Sequence, residues 1–170
     1  MKNFVDDYVV FDVETTGLEA TTDRIIEIGA LKYVNNELVE EFNVLIYPEM
    51  PIPEIITTIT GITDEMVKNE KTIQEVLPDF LNFIKDFPLV GHNVAFDLGF
   101  INESLKKMGL ATLNNASFDT VELARKYIPK AFNYKLETLK KYFHLDFGSH
   151  RSIEDVKTTN YIYQECKKRA

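Results

Sequence analysis

The segment YVVFDVETTGL, residues 8–18, places two carboxylates inside a run of residues that form strands. Val, Phe and Tyr favour a buried strand, whereas Asp and Glu are depleted from strands and are rarely buried without a partner. Side chains two positions apart on a strand share a face, so Asp12 and Glu14 point the same way. Either these acids lie in water on an edge strand, or a partner offsets the loss of their hydration. The apolar flanks favour the second interpretation.

The composition predicts one globular domain that spans residues 1–170. The chain has 170 residues, of which 45% are hydrophobic and 27% are charged, and this is enough for a substantial core. The one cysteine, Cys166, excludes a disulfide framework and a cysteine-rich zinc site. No basic region precedes an apolar segment at the start, and no apolar run approaches the roughly 18 residues that cross a membrane. We therefore expect a soluble, cytoplasmic protein that does not associate with membranes.

Charge is distributed unevenly along the chain. The net charge is −8, which by itself argues weakly against nucleic acid as a partner. Residues 1–75 include 5 basic and 16 acidic residues, whereas residues 76–170 include 14 basic and 11 acidic residues. Lys and Arg recur between Arg125 and Arg151 with several aromatic residues among them. This basic region is either a solvated helical face or a surface that guides an anionic strand.

The first half of the chain has the apolar patterns of β-strands. Strands are predicted over Tyr8–Val13, Arg24–Val34 and Leu38–Tyr47. Asn35 and Asn36 predict a tight turn between the second and third strands, so the three strands would form an antiparallel meander. Prolines at positions 48, 51 and 53 then predict an irregular segment.

The second half alternates between helices and short strands. Thr72 and Glu75 have the spacing of a capping box ahead of an apolar helical face, and Pro78 lies inside that helix at a position that favours a bend. Further helices are predicted from Val94 to a stop at Gly109, and over 120–128, 135–143 and 152–168, with short strands at 88–93 and 116–119. Antiparallel strands followed by strand–helix units indicate an α/β or α+β domain with a mixed sheet.

Two more carboxylates and a histidine have ordinary structural explanations when each is taken alone. Asp97 lies at the start of a helix after a buried strand, where the helix dipole also favours a carboxylate. Asp155 follows His150 by five residues and would occupy the third position of a helix that Ser152 caps. A histidine in a short loop is usually a surface residue.

Together these residues predict a metal site. Asp12, Glu14, Asp97 and Asp155 offer only oxygen ligands, which suit hard divalent cations. Two such ions roughly 4 Å apart can hold the attacking and leaving oxygens of an in-line phosphoryl displacement. His150 could accept the proton of the attacking water near neutral pH. Bound cations would also offset the cost of burying the two carboxylates in the opening segment.

Six motifs carry a resemblance to a known family. FDVETTGL, DRIIEIGALK, TGITDEMV, LVGHNVAFDLGF, FDTVELARKY and HRSIEDV occur in the order and spacing of the DEDDh 3′–5′ exonucleases. From Tyr8 to about Lys168 the chain resembles the proofreading exonucleases of bacterial DNA polymerase III, both the epsilon-type subunit and the exonuclease domain of the Gram-positive polymerase. The resemblance implies an RNase H-like fold, a mixed five-stranded sheet flanked by helices. It also implies release of nucleoside 5′-monophosphates from a single-stranded 3′ end.

The same resemblance assigns roles to individual residues. The ligands of two Mg²⁺ or Mn²⁺ ions would be Asp12, Glu14, Asp97 and Asp155, with His150 as the general base. The substrate-binding residues would be Thr15, Thr16, Gly17, Leu18, Ile62, Asn93 and Phe96. Leu18 would wedge against the last base, and His92 lies next to this set as either a supporting or a packing residue. Ser152 and Val156 depart modestly from the family pattern, and Thr60 replaces a histidine of the epsilon subunit, which favours the Gram-positive type.

The motifs are compatible with more than one substrate and biological role. DNA is favoured over RNA, and a DNA polymerase subunit is the expected protein partner. The alternatives are an exonuclease for RNA or short oligonucleotides, a catalytically silent module that binds a polymerase, and a small-molecule phosphohydrolase. The full set of four acids and His150 argues against the silent module. The segments Thr15–Leu18 and Asn93–Phe96, which match the nucleotide-facing residues of the family, argue against the phosphohydrolase.

Overall fold

The structure is a computed structural model that describes residues 4–170, and it contains a mixed five-stranded sheet with helices on both faces. The strands are β1 (Tyr8–Thr15), β2 (Ile25–Val34), β3 (Glu37–Leu45), β4 (Leu89–Gly91) and β5 (Ser117–Asp119). Their order in the sheet is β3-β2-β1-β4-β5, with β1, β2 and β3 antiparallel and β4 and β5 parallel to β1. The predicted mixed sheet is confirmed.

The hairpin between β2 and β3 turns at the two asparagines that predicted it. Asn35 and Asn36 have φ angles of 51° and 63°, both in the left-handed region. A two-residue turn that matches the twist of the flanking strands requires positive φ at both positions, and Asn tolerates this better than most residues. The sequence signal and the backbone geometry therefore have the same cause.

Seven helices lie in the described part of the chain. They are α1 (Glu54–Thr60), α2 (Asp64–Val67), α3 (Ile73–Ile84), α4 (Val94–Lys107), α5 (Thr120–Tyr127), α6 (Leu136–Tyr142) and α7 (Ser152–Arg169). At the start of α3 the backbone N–H of Thr72 donates to the Glu75 carboxylate at 3.1 Å, as the capping-box pattern predicted. Within residues 4–170, none of these helices combines the length and the apolar character that crossing a bilayer requires.

The helices α1 and α2 correct the prediction of an irregular segment after the prolines. Proline disrupts a helix interior, but at the boundary it is tolerated because the first N–H groups have no helical partner. Pro53 occupies the N-cap position of α1, and the helix starts at the next residue. The short helix α2 is capped by Thr63, whose side chain accepts a hydrogen bond from the N–H of Met66.

The central strand β1 packs against different helices on its two faces. Phe11 belongs to the core cluster formed with α3 and α4. Val10 belongs to a second cluster that contains Tyr163 of α7. Because side chains alternate along a strand, Asp12 and Glu14 continue the stripe of Val10, which faces α7.

The sheet ends in two unequal edges. On one side β5 is only three residues long, whereas on the other side β3 has nine residues and is exposed along most of its length. Leu38 and Val39 are more than half exposed there, and the exposed acids Glu37, Glu40 and Glu41 lie beside them.

Candidate active site

Carboxylates from the central strand and the last helix meet at the end of β1. Asp12, Glu14 and Asp155 can each offer one carboxylate oxygen, and these three oxygens lie within 4.8 Å of one another. The strand contributes two of them because of its two-residue period, and α7 contributes the third from its first turns. The sequence predicted this convergence of residues that are far apart in the chain.

Asp97 approaches the cluster from the parallel strand–helix unit. The strand β4 runs beside β1 and leads into α4, and Asp97 lies in the first turn of that helix, only 3% exposed. Its Oδ1 accepts a hydrogen bond of 2.9 Å from the backbone N–H of Val13, the residue between Asp12 and Glu14. Asp97 is therefore tied to the strand that carries the cluster, although it lies outside the group of three oxygens within 4.8 Å.

Burial raises the pKa of all four carboxyl groups, and repulsion from neighbouring carboxylates adds to the rise. Burial and then the charge of Asp97 hold the pKa of Asp12 well above its usual range. Burial, followed by the charges of Asp155 and Glu27, raises the pKa of Glu14 to about 9. Burial raises the pKa of Asp97 to about 8 and that of Asp155 to about 6, in the second case against the hydrogen bond from His150. Four acids in this state favour a bound positive charge.

One atom of the cluster supports the fit of the donor set to a cation. Among residues 4–170, Asp12 Oδ2 is buried and has no hydrogen-bond partner. A buried acceptor without a partner is costly, and nearly all such groups in proteins are satisfied. Carboxylate oxygens without a nearby thiolate suit hard divalent cations, so the cluster has the chemistry of a divalent metal site.

His150 lies in the loop between α6 and α7, beside the cluster. Its φ angle of 64° is in the left-handed region, which is uncommon for a residue other than Gly. The backbone N–H of His150 donates to Asp155 Oδ1 at 3.2 Å. The side chain of His150 is exposed, and it lines a groove together with Asp155 and Lys140.

The start of α7 corrects the predicted capping by Ser152. The helix begins at Ser152 itself, and Arg151 occupies the N-cap position. Ser152 Oγ is buried without a hydrogen-bond partner among the described residues. The backbone N–H of Ser152 donates instead to Glu27 Oε1 at 2.7 Å, because β2 brings this carboxylate against the first turn of the helix.

Glu27 is a residue of this region that sequence reasoning missed. It is a lone acid in the apolar strand IIEIGALKYV, and its residue is 1% exposed. The signal that could have found it is the one that singled out Asp12 and Glu14, a carboxylate inside a buried strand. Its partner, Arg151, donates from Nη2 to Oε2 at 2.6 Å.

The segment after β1 forms a compact loop at the rim of the site. Thr15 Oγ1 donates to the carbonyl of Gly17 at 2.6 Å, and Thr16 Oγ1 donates to Asp23 Oδ1 at 3.2 Å. Gly17 lies so close to Asp23 that a Cβ at this position would meet the carboxylate at 2.4 Å. Leu18 is 81% exposed at the tip and is free to contact a ligand.

The remaining candidate substrate residues occupy different environments. Ile62 is fully buried in a cluster with Ile26, so the structure does not bring its side chain to the surface of the site. Asn93 is exposed at the N-cap of α4, and the ring of Phe96 packs partly buried against Phe100.

His92 packs within the protein. Its Nδ1 lies 2.8 Å from Thr120 Oγ1, and its Nε2 lies 2.7 Å from the carbonyl of Tyr134. Burial lowers the pKa of His92 below its usual value. Both ring nitrogens therefore have partners inside the fold, which favours the packing interpretation.

Two adjoining grooves lead away from the acidic cluster. The first groove is lined by residues that include His150, Asp155 and Lys140. The second groove includes Asn93, Arg125 and Tyr134 among its lining residues. Lys135 and Leu136 line both, so the two grooves form one path along α6.

The comparisons with known proteins agree with this geometry. A family model described as exonuclease, of the RNase T type, matches residues 9–163. DNA polymerase III PolC-type of Caldanaerobacter subterraneus subsp. tengcongensis is 46% identical over 158 residues, which are 92% of this chain and 11% of that protein. The Clostridium perfringens DNA polymerase III PolC-type is 45% identical over 162 residues, 95% of this chain and 11% of that protein. The chain thus spans a small part of the length of these relatives.

Solved structures share the fold at low sequence identity. E. coli exonuclease I in complex with a dA16 oligonucleotide matches with a TM-score of 0.85 and 16% identity, over 97% of this chain and 41% of that chain. Exonuclease X in complex with 5′ overhanging duplex DNA matches with a TM-score of 0.72 and 24% identity, over 91% and 89% of the two chains. These likenesses confirm the RNase H-like arrangement of the sheet and helices.

The family assignment rests on the sequence matches, and the acidic cluster is the feature of the structure that agrees with it. The family model covers most of the residues, and the two polymerase relatives align with nearly the whole chain. The predicted resemblance is confirmed, and the chain belongs to the exonuclease family.

Proposed function

We propose that the chain is a 3′–5′ exonuclease that hydrolyses the terminal phosphodiester of single-stranded DNA and releases nucleoside 5′-monophosphates. The observation that carries this proposal is the convergence of Asp12, Glu14 and Asp155, with the buried Asp12 Oδ2 that has no partner among the described residues. Membership of the exonuclease family makes a phosphodiester the expected substrate of such a cluster.

The proposed ligands are the three clustered carboxylates and Asp97, and the proposed ions are Mg²⁺ or Mn²⁺. Two such ions bound there would polarise the phosphodiester and make the attacking water more acidic. The protein's own part is to hold Asp12 and Glu14 rigidly on the central strand, with Asp97 fixed to the same strand through Val13. Rigid placement matters because catalysis of this kind depends on positioning.

His150 is the proposed general base. It lies beside Asp155, and the contact between its backbone N–H and Asp155 Oδ1 keeps the loop close to the cluster. An imidazole is suited to accept a proton near neutral pH and to release it to solvent afterwards. The exposed position of His150 gives the proton a direct route to water.

The two adjoining grooves are the proposed path of the strand behind its 3′ end. Lys140, Lys135 and Arg125 lie along this path, and cations of this kind bind the phosphates of a single strand. At the other end of the site the exposed Leu18 would pack against the terminal base. The net charge of −8 does not oppose this, because only a few nucleotides need to be held.

DNA is the proposed substrate, with RNA and short oligonucleotides as alternatives. The relatives are DNA polymerase III of the PolC type, and the neighbouring structures hold a dA16 oligonucleotide or a 5′ overhanging duplex DNA. We extend the proposal to proofreading beside a replicative DNA polymerase in the cytoplasm. The retained carboxylates argue against a catalytically silent module, since such a module has no chemical need for them.

The decisive experiment is a degradation ladder on 5′-labelled single strands of DNA and RNA, with Mg²⁺, Mn²⁺ or EDTA. We expect stepwise shortening of the DNA from its 3′ end, which EDTA stops and which the variant Glu14→Gln lacks. Faster shortening of RNA than of DNA would instead favour the alternative, an exonuclease for RNA. Intact strands in the presence of bound Mn²⁺ would contradict the exonuclease and favour the silent module or a phosphohydrolase, which p-nitrophenyl phosphate esters would then distinguish.

A further inference from the structure

An ion pair between a buried glutamate and a partly exposed arginine joins the second strand to the start of the last helix. Glu27 of β2 lies opposite Glu14 in the β1–β2 ladder, and its side chain is 1% exposed. The Arg151 guanidinium donates two hydrogen bonds to Oε2, from Nη2 at 2.6 Å and from Nε at 3.0 Å, and Nε also lies 3.2 Å from Oε1. A fork of this kind fixes the direction of both groups as well as their distance.

The same carboxylate also caps α7. Glu27 Oε1 accepts a hydrogen bond of 2.7 Å from the N–H of Ser152, the first residue of the helix. The first N–H groups of a helix have no helical partner, and a negative charge is favourable at that end. A residue of the sheet thus performs the capping that the Ser152 hydroxyl does not provide.

Close backbone contact strengthens this junction. Gly29 follows Glu27 by two residues, and a Cβ at Gly29 would lie 2.7 Å from the backbone N of Ile153. Any side chain at this position would push the first turn of α7 away from β2. The ion pair and the glycine therefore hold the same turn at the same place on the sheet.

The two proposed active-site residues of this region lie on either side of Arg151. His150 precedes it directly, and the N–H of Asp155 donates to the Arg151 carbonyl at 3.0 Å. Other contacts of the loop join it to the neighbouring helices, such as those from Gly148 N to Glu154 Oε2 at 3.1 Å and from Lys140 Nζ to Ser149 Oγ at 2.6 Å. The contacts of Glu27 with Arg151 and with the N–H of Ser152 therefore connect the end of the loop to the sheet.

Stability alone is a poor explanation for this pair. Burying the Glu27 carboxylate costs hydration free energy, and an ion pair at such a position is often no better for stability than apolar side chains of the same volume. Glu27 also places a negative charge opposite Glu14, where like charges on neighbouring strands are unfavourable. More exact placement of the carboxylates in the acidic cluster would explain why this free-energy cost is tolerated.

We propose that Glu27 and Arg151 are a positioning pair, which touches no substrate and holds His150 and Asp155 in register with Asp12 and Glu14. The catalytic part of this inference rests on the proposed exonuclease function. The inference that the pair fixes the start of α7 does not rest on that function, because metal binding and amide exchange can test it without any measurement of activity.

The catalytic test compares Glu27→Gln, Arg151→Gln and the double variant on a 5′-labelled single-stranded DNA. We expect kcat to fall about 10- to 100-fold in each single variant, the usual effect of removing a partner that orients a metal ligand. KM should change little, because neither residue contacts the strand. The kcat of the double variant should be no lower than that of the less active single variant, because each change removes the same ion pair. Arg151→Lys should restore only part of kcat, since an ammonium cannot reproduce the fork.

The second test does not need activity. Titration with Mn²⁺ should show about 10- to 100-fold weaker binding in Arg151→Gln. Amide exchange of residues 150–155 in metal-free protein should also be faster in this variant. The control is Lys167→Gln, which removes the ion pair with Asp6 at the other end of α7 and should change neither quantity.

These measurements separate the pair from the proposed function. Wild-type kcat, Mn²⁺ affinity and amide exchange in Arg151→Gln would overturn the inference, as would equal losses in Lys167→Gln. If the wild-type protein cuts no strand but Arg151→Gln binds Mn²⁺ more weakly, the proposed exonuclease function is contradicted. The proposed positioning role of Glu27 and Arg151 is then still supported. If Glu27→Gln does not fold, Arg151→Gln decides, since its side chain is 38% exposed and easier to replace.

Discussion

Among the single residues of the site, Asp97 serves the fold and the acidic cluster at once. Its Oδ1 accepts from the N–H of Val13 and so fixes the strand between Asp12 and Glu14. Its charge is also the largest influence on the pKa of Asp12 after burial. The hydrogen bond favours the fold, whereas the charge opposes it until a cation is present.

Replacing Asp97 with Asn separates these two roles, because an amide oxygen can still accept the hydrogen bond from Val13. We expect hydrolysis to fall by at least about 10³-fold, since losing a metal ligand removes several kcal/mol of transition-state stabilisation. The free energy of unfolding without metal at pH 8 should rise by about 1 kcal/mol or more, because repulsion in the cluster is relieved. Urea denaturation in EDTA measures this change.

The matched comparison is Asp97→Ala, which removes the charge and the hydrogen bond together. It should be less stable than Asp97→Asn by about 1 kcal/mol, the usual net value of such a bond. Equal stability of the two variants would mean that the contact with Val13 does not support β1.

At the scale of secondary-structure elements, those with local signals could be predicted from the sequence. The turn at Asn35 and the start of α3 at Thr72 follow from chemistry within a few residues. The helix α1 was missed because Pro53 was interpreted as a breaker, although proline is tolerated at a helix start. The capping of α7 could not be predicted, because Glu27 and Ser152 are 125 positions apart and only the folded sheet brings them together.

The junction of β2 and α7 predicts opposite effects for two similar substitutions. Gly29→Ala would place a Cβ 2.7 Å from the backbone of α7, so we expect it to lower the free energy of unfolding by about 1–3 kcal/mol. Gly99→Ala, inside α4, meets nothing within 4 Å and should raise stability by about 0.5–1 kcal/mol. Thermal unfolding of both variants measures the contrast. A change in stability of the same sign in both would contradict the close approach of Gly29 to the first turn of α7.

At the scale of the whole molecule, the candidate site combines residues that the chain separates widely. Sequence reasoning named Asp12, Glu14 and Asp155, and the fold brings these three together. It also named Ile62, whose side chain the fold buries in a cluster with Ile26, a packing that the sequence alone did not predict. The roles of these residues in catalysis remain predictions.

The pKa values of the cluster predict how the stability of the metal-free protein depends on pH. Folding raises the pKa of Asp155 to about 6, of Asp97 to about 8 and of Glu14 to about 9, from values near 4 in an unfolded chain. A carboxyl group with a raised pKa binds its proton more tightly in the folded state. Its favourable contribution is therefore present at low pH and is lost as the pH rises through the folded value.

We therefore expect the melting temperature in EDTA to fall as the pH rises from about 6 to about 9. Saturating Mg²⁺ should reduce this fall, because a bound cation stabilises the charged carboxylates in the folded state. Thermal unfolding across this range, with and without Mg²⁺, measures both effects. A melting temperature in EDTA that increases with pH would contradict the proposed state of the cluster.

The long edge strand β3 has a consequence for how copies of this protein behave at high concentration. An exposed edge of nine residues offers unpaired backbone groups to any other strand, and the half-exposed Leu38 and Val39 would favour such pairing. The exposed Glu37, Glu40 and Glu41 place negative charges along the same edge. Two copies that approached edge to edge would bring these carboxylates together, so electrostatic repulsion protects the sheet from growing into an aggregate.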